Sequence, residues 1–543
     1  MNAYAVPAIV TVSLLTVVIG VYGLRLARTT SDFLVASRSV SPGWNAAAIS
    51  GEYLSAASFL GVAGLILKFG VDMLWYPVGF AAGYLALLLF VAAPLRRSGA
   101  FTLPDFCQAR LRSVKLRKLA TAFVVIIGWL YLVPQFQGAG LTLRTVTGQS
   151  YELGVWLVAV VVTANVALGG MRSITFVQAF QYWLKLAALA VPVFFLLAHW
   201  NGGDRPPVTP PGGPVFVATT TVVFERETTL TLDSGQVDRV PAGGTRVFAA
   251  GSRVPTNSEL TVAKDRSWLL PSPNDSGGLF AAYSLILATF LGTMGLPHVL
   301  VRFYTNPDGD AARRTTLMVL GLVGLFYLLP TLYGVLGRVY TPQLLMTGRT
   351  DAVVLVLPGA AIGGVGGELL GALVAAGAFA AFLSSSSGLL TSVAGVLSTD
   401  VLGRGSVRDF RLASVVAGTV PLIFALNLAA LDVSQVVGLA FAVAASSFCP
   451  LLVLGIWWRG LTDVGVAAGV LAGGGAALGA VLITVLGPPL HGWAAVLIRQ
   501  PAAWTVPLSF GVMVIVSLAT RHRIPPDVGA TMLRLHAPDS LRM

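Results

Sequence analysis

Four consecutive hydroxyls, Ser384-Ser385-Ser386-Ser387, follow Ala380-Ala381-Phe382-Leu383 deep inside an apolar run. Serines in a membrane helix often donate to the carbonyl one turn back or bridge to a neighbouring helix. Combined with carbonyls freed by an interrupted helix, the same hydroxyls form a neutral oxygen cage, which suits a hard monovalent cation better than a proton. Two apolar runs are interrupted in that way, one at Gly51-Glu52-Tyr53-Leu54-Ser55-Ala56-Ala57-Ser58 and the other at Gly292-Thr293-Met294-Gly295-Leu296-Pro297. Lipid offers no partner to free backbone groups, so a broken span must line a cavity or pack inside protein. Small residues alone would also serve close helix packing. The two breaks, however, lie five spans apart, the spacing of an inverted repeat of five helices plus five, and such paired breaks point to a transporter's binding site. Half-helix N-termini there aim partial positive charge at an anionic group.

Ionisable groups deep in a membrane are costly, roughly +3 kcal/mol each on an insertion scale, and are candidates for function. Glu52 is the one carboxylate placed near mid-span, where tuning an ion site, bridging helices and carrying a proton are all open to it. Lys185, in the middle of the sixth span, is expected to snorkel or to pair with a helix end, and His298 to be a satisfied buried histidine. No His/Glu metal spacing and no nucleophile-base pair is present, so an enzyme is not expected. Cys107 and Cys449 suggest neither a disulfide framework nor a metal cluster.

These residues are carried by a chain of 543 residues that is 55% hydrophobic and only 11% charged, against roughly 25% charged in soluble proteins. Apolar runs predict about thirteen transmembrane helices, near 5–25, 43–67, 73–95, 119–141, 154–170, 176–198, 277–301, 314–337, 366–397, 411–430, 433–457, 464–486 and 504–520. The fold class expected is an all-α polytopic membrane protein. The run from Tyr4 to Leu24 lacks a small-residue cleavage site and reads as a first span, not a removed signal peptide. Basic residues concentrate after spans 1, 3, 7, 9 and 13 (Arg25, Arg28 and Arg38; Arg96 to Lys118; Arg302, Arg313 and Arg314; Arg404 and Arg408; Arg521 and Arg523), which places the N-terminus outside and the C-terminus inside. The net charge of +12 is spread over these short loops and implies no nucleic-acid partner. The hydrophilic stretch 199–276 falls outside, and its alternating PVFVATTTVVF and ERETTLTL segments predict a small β-rich extracellular insert. The expected organisation is helices 1–6 in 1–198, the insert at 199–276, helices 7–11 in 277–457, and two last helices with a cytoplasmic tail in 458–543. The first repeat begins near residue 43 and the second near 277.

Four ordered segments carry a family resemblance: SDFLVASRSVSPGWNAAAISGEYLSAASFLGVAG, GGMRSITFVQAFQYWLK, GTMGLPHVLVRFYTNP and SSSSGLLTSVAGVLSTD. The chain resembles the sodium:solute symporter family, and within it the cation/acetate or monocarboxylate branch, over essentially its whole membrane part. The resemblance implies a LeuT-type core of two inverted five-helix repeats, with one extra helix before it and two after. It also implies a sodium site made by the first and eighth core helices, carried over to the carbonyls of Gly51, Leu54 and Ala381 and the hydroxyls of Ser384 and Ser385. Where some sugar-transporting relatives place an aspartate near the ion's exit route, this chain has Gln178.

The function expected is sodium-coupled symport of a small organic anion, a short monocarboxylate such as acetate, propionate or pyruvate, by alternating access. Ala57, Ser58, Gln135, Thr293 and Gly295 are the expected lining of the substrate pocket, with Glu52 and Gln178 as possible coupling residues. Sodium is the only ion implied and no organic cofactor or obligate protein partner is expected besides the lipid bilayer. Alternatives are proton coupling through Glu52, sodium symport of another small organic solute, and a non-transporting sensor, against which weighs the short segment after Arg521. Abundant Arg, Ala and Gly suit a bacterial cell membrane as the location.

Overall fold

The computed structural model describes residues 2–24, 40–203, 205–210, 213–258, 260, 262–263, 265–270, 276–403, 406–428, 433–488 and 490–537. Arg25, Arg28, Arg38 and Arg404 lie outside the described residues. Among those described, twelve helices are long and apolar enough to cross a membrane. The count differs from thirteen because one of them, Ala57–Arg97, is 41 residues long and joins the second half of a broken crossing to the next span.

The helices that bear on the site are α1 (Ala5–Leu24), the half-helices α2 (Pro42–Tyr53) and α3 (Val62–Phe69), then α4 (Trp75–Ala86), α5 (Leu103–Leu111), α6 (Val114–Thr147) and α7 (Tyr151–Gly202). Chain direction changes inside α7 at Gly170, whose φ of 61° only glycine tolerates well, so α7 supplies two spans. After the insert come the half-helices α8 (Ser276–Gly295) and α9 (Pro297–Phe303), α10 (Gly309–Tyr340), α11 (Gly364–Val396), α12 (Val407–Asn427) and α13 (Val433–Trp457). The chain then adds α14 (Asp463–Gly469), α15 (Gly475–Leu486) and α16 (Ala502–Ala519). Both predicted interruptions are present. Leu54 leaves α2 with φ −74° and ψ 83°, and Leu296 separates α8 from α9 with an extended ψ of 116°. α2, α3, α4, α8 and α10 pack as one group, while α6, α7, α11 and α12 pack as another, and α2 lies along α7 and α11 where the groups meet.

Helix starts follow local chemistry. Thr102 and Asp105 form a reciprocal capping box before α5, as do Ser406 and Asp409 before α12. α5 converts much of the supposed loop after the third span into structure, burying Cys107 and Arg110. Arg110 donates to the carbonyls of Gly455 at 2.8 Å and Trp458 at 3.0 Å, and Arg96 to those of Asn306 and Pro307. These arginines satisfy carbonyls near helix ends, a favourable place for positive charge.

α14 and α16 meet through a glycine face. A Cβ at Gly465, Gly469 or Gly473 would collide with Ser517, Met513 or Ser509 respectively. Spacing by four residues puts the three glycines on one side of the helix, so the backbones approach closely. Gly469→Leu is expected to lower stability by about 1–3 kcal/mol through overpacking, read as a lower unfolding temperature in detergent. Gly475→Ala is the control, since nothing lies within 4 Å of its added Cβ. Equal behaviour of the two variants would remove this packing role.

The insert contains two small antiparallel sheets. β1 (Thr220–Val223) pairs with β4 (Thr245–Phe248), and β2 (Thr228–Thr231) pairs with both β3 (Val237–Val240) and β5 (Thr256–Asn257). Arg246 links the sheets by donating to both carboxylate oxygens of Asp238, at 2.8 and 3.0 Å, and these bonds hold that carboxyl below its usual range. The pair's small contribution is therefore present above the unfolded carboxylate pKa and fades as pH falls through the folded one. The insert's apolar core of Phe216, Val222, Phe224, Leu230 and Val240 is completed by Met346, from the segment that follows α10. Trp268 donates to the carbonyl of Ile66 at 2.8 Å, tying the segment after the sheets to α3.

Candidate functional site

Gly51 decides how the first break is placed. A Cβ there would collide with the backbone carbonyl of Gln178 on α7, so only glycine lets α2 approach that closely. Gly388 on α11 plays the corresponding part on the other side, where a Cβ would run into the carboxylate of Glu52. The break is thus clamped between the second span of α7 and the serine cluster of α11.

Three of the five oxygens expected to form a cation cage converge here. The carbonyls of Gly51 and Leu54 and the hydroxyl of Ser384 all surround one point, and that point is Nζ of Lys185. Nζ donates to Gly51 O, to Leu54 O at 2.7 Å and to Ser384 Oγ at 2.7 Å. Ser384 Oγ is in turn 2.7 Å from Gly51 O and 3.1 Å from Ala381 O. Ser385 turns to donate to the carbonyl of Glu52 instead. Lys185 therefore pairs with a helix end, one of its two expected behaviours, and it is fully buried there.

A second layer of polar contacts surrounds the cage. Gln178 donates to Ser384 O at 2.8 Å and accepts from Arg302, which also donates to Glu52 at 2.6 Å and to Thr175 at 2.9 Å. Glu52 and Arg302 are each 1% exposed at the side chain. Of the roles open to Glu52, these contacts are those of a bridge between α2 and α9. Arg302, read from sequence as a loop charge, is a missed site residue; the rule that an intramembrane carboxylate needs a partner is the signal that would have found it.

The expected substrate residues lie on the other side of the break. Tyr53 OH and Thr293 Oγ1, 2.8 Å apart, join the two broken helices directly. Gln135 accepts from Ala56 N at 3.1 Å while its amide nitrogen, buried, has no partner among the described residues. Ser58 shares a 2.8 Å hydrogen bond with Tyr327, and Ala57 opens the turn that leads into α3. Gly295 packs closely on the carbonyl of Ala444 of α13, where a Cβ would collide. An aromatic cluster unmarked in the sequence reading encloses the region: Tyr53 packs edge-on to Tyr84 at 4.7 Å, and Phe80 lies 5.0 Å from Phe441. Aromatic residues are too common in membrane spans for sequence position alone to single these out. His298 is buried and packs edge-on to Tyr131, but its Nδ1 has no hydrogen-bond partner among the described residues, so the expected satisfied histidine is corrected: the apolar and aromatic surroundings bury the ring without pairing that nitrogen.

The two broken helices meet at a polar junction between Tyr53 and Thr293. Residues 33–206 and 271–473 match the sodium:solute symporter family, and the chain belongs to that family. It is a transporter, a multi-pass protein of a bacterial membrane. An uncharacterised symporter of Bacillus subtilis, YwcA, is 30% identical over 475 residues, covering 84% of this chain and 82% of its own. A monocarboxylic acid transporter of Corynebacterium glutamicum is 29% identical over 523 residues, covering 90% and 86%. Among solved structures, a Na+-coupled sialic acid symporter in a substrate-bound outward-open state superposes with a TM-score of 0.64 at 15% identity, covering 94% of this chain and 98% of its own. Mhp1, a nucleobase-cation-symport-1 family transporter in a closed conformation, gives 0.53 at 12% identity, covering 92% and 98%. The shared architecture is the LeuT-type core expected from the sequence.

Proposed function

We propose that this chain is a secondary active symporter that carries a short-chain monocarboxylate, such as acetate, propionate or pyruvate, into the cell by alternating access. The observation that carries the reading is the junction of the breaks, where Tyr53 meets Thr293 and the buried Gln135 amide offers a free donor. A buried donor without a partner costs about 1–3 kcal/mol, which an anionic oxygen would recover. The side chains of Ala57 and Ser58 are small, which suits a short substrate. The similarity to a monocarboxylic acid transporter supports the same substrate class, and family membership supports sodium as the accompanying cation. In this reading the N-terminus and the insert face outward, and Glu52 and Gln178 link the first helix break to the moving half-helix α9 through Arg302.

The test is uptake of labelled acetate and pyruvate into proteoliposomes under a sodium gradient, a proton gradient or neither. Sodium-driven uptake is expected, reduced about tenfold or more in Gln135→Leu, which removes a donor to a charged group. Uptake driven only by protons would replace sodium as the coupling ion, and uptake of neither acid would sink the substrate class. One sodium with one carboxylate carries no net charge, so a membrane potential, worth about 2.3 kcal/mol per charge per 100 mV, would leave one-to-one uptake unchanged.

A further inference from the structure

We propose that the Lys185 ammonium is the resident cation of the oxygen cage at the first helix break, and that it excludes sodium from Gly51 O, Leu54 O and Ser384 Oγ. Any sodium that accompanies the substrate then binds elsewhere in the protein. The inference concerns cation placement and does not depend on which solute is carried.

An ammonium has three N–H donors and no acceptor. Lys185 finds three acceptors, the two carbonyls and the serine hydroxyl, with none of its donors left over. Among the described residues no carboxylate lies within ion-pair distance of Nζ; the neighbouring Glu52 pairs with Arg302. The charge is thus held by neutral oxygens at the C-terminal end of α2, where the helix dipole is negative. That is the chemistry of a monovalent cation site, supplied here with a tethered cation.

The placement is built into α7. Gln178, Tyr182 and Lys185 stand at helical spacings of four and three and face α2 together. A Cβ on Gly51 would meet Gln178 O and the Tyr182 side chain, so the two helices are in contact one and two turns before Lys185. From that contact the four-carbon stem reaches the break. Ser385, the remaining hydroxyl of the expected cage, is turned to Glu52 O and does not face Nζ. A sodium ion on the same oxygens would compete for lone pairs already engaged and would stand beside a like charge.

Equilibrium binding of radioactive sodium to the purified full-length chain tests this, comparing the parent with Ser384→Ala, Lys185→Ala and the double variant. The parent is expected to show no sodium binding that Ser384→Ala removes. Lys185→Ala is expected to gain binding at least about tenfold tighter than the parent's, and the double variant to lose that gain. Sodium binding by the parent that Ser384→Ala abolishes would overturn the proposal, as would a folded Lys185→Ala that gains none. Should Lys185→Ala fail to fold, the parent and Ser384→Ala alone decide. Counterflow of labelled acetate and pyruvate without any cation gradient reports the transport reading separately, so a wrong substrate class and a wrong cage occupant give different results.

Discussion

Arg302→Met is expected to destabilise the protein by about 3–5 kcal/mol, the cost of leaving a buried carboxylate without its partner. Glu52 and Arg302 are both buried, and the guanidinium also serves Thr175 and Gln178, so the substitution strips several contacts at once. The loss would appear as a lower unfolding temperature and less monodisperse protein after purification. Glu52→Gln with Arg302→Met is expected to recover much of it, because replacing both charges removes the uncompensated one. A double variant as unstable as Arg302→Met would mean that the guanidinium acts through Thr175 and Gln178, not through the ion pair. Transport in the recovered double variant then tells whether the bridge between α2 and α9 is needed for movement as well as for stability.

Gly51→Val is expected to abolish transport and to destabilise at the upper end of the roughly 1–3 kcal/mol range for overpacking. Its side chain would be driven into the backbone of Gln178, which cannot rotate away as a side-chain tip can. Separating α2 from α7 would also withdraw Gly51 O and Leu54 O from Lys185, so the break would lose its cation. Gly43→Ala is the control, with nothing within 4 Å of the added carbon, and is expected to stay within about 0.5 kcal/mol of the parent. Uptake by folded Gly51→Val comparable with the parent's would sink the claim that this approach positions the break.

Much of the architecture was legible in the sequence because lipid leaves few choices. Apolar runs of about twenty residues must be helices there, and a run broken by Gly, Ser or Pro must be protected by protein. The breaks at 51–58 and 292–297 are accordingly found at Leu54 and Leu296. Alternation of Thr and Val between turn residues likewise marked the insert as strands, and four of its five strands fall within 220–248.

What sequence could not show is which groups meet across helices far apart in the chain. Ser384, Gly51 and Leu54 were expected to share an ion, and they do meet at one point, but what stands there is Nζ of Lys185. Nothing in the local sequence of α7 distinguishes a lysine that snorkels to the interface from one that reaches a broken helix. The difference rests on the close approach at Gly51, which exists only once α2 and α7 are packed. Arg302 was misplaced for the same reason: a basic residue at the end of an apolar run reads as a loop charge until its helix is packed beside Glu52. Periodicity and composition by themselves determined the helices, the breaks and the membrane, because those depend on local chain chemistry and solvent. The occupant of the cage, the partner of the buried carboxylate and the donor left free at Gln135 were decided only by tertiary structure, since each depends on how segments far apart in the chain, by tens to hundreds of residues, pack together.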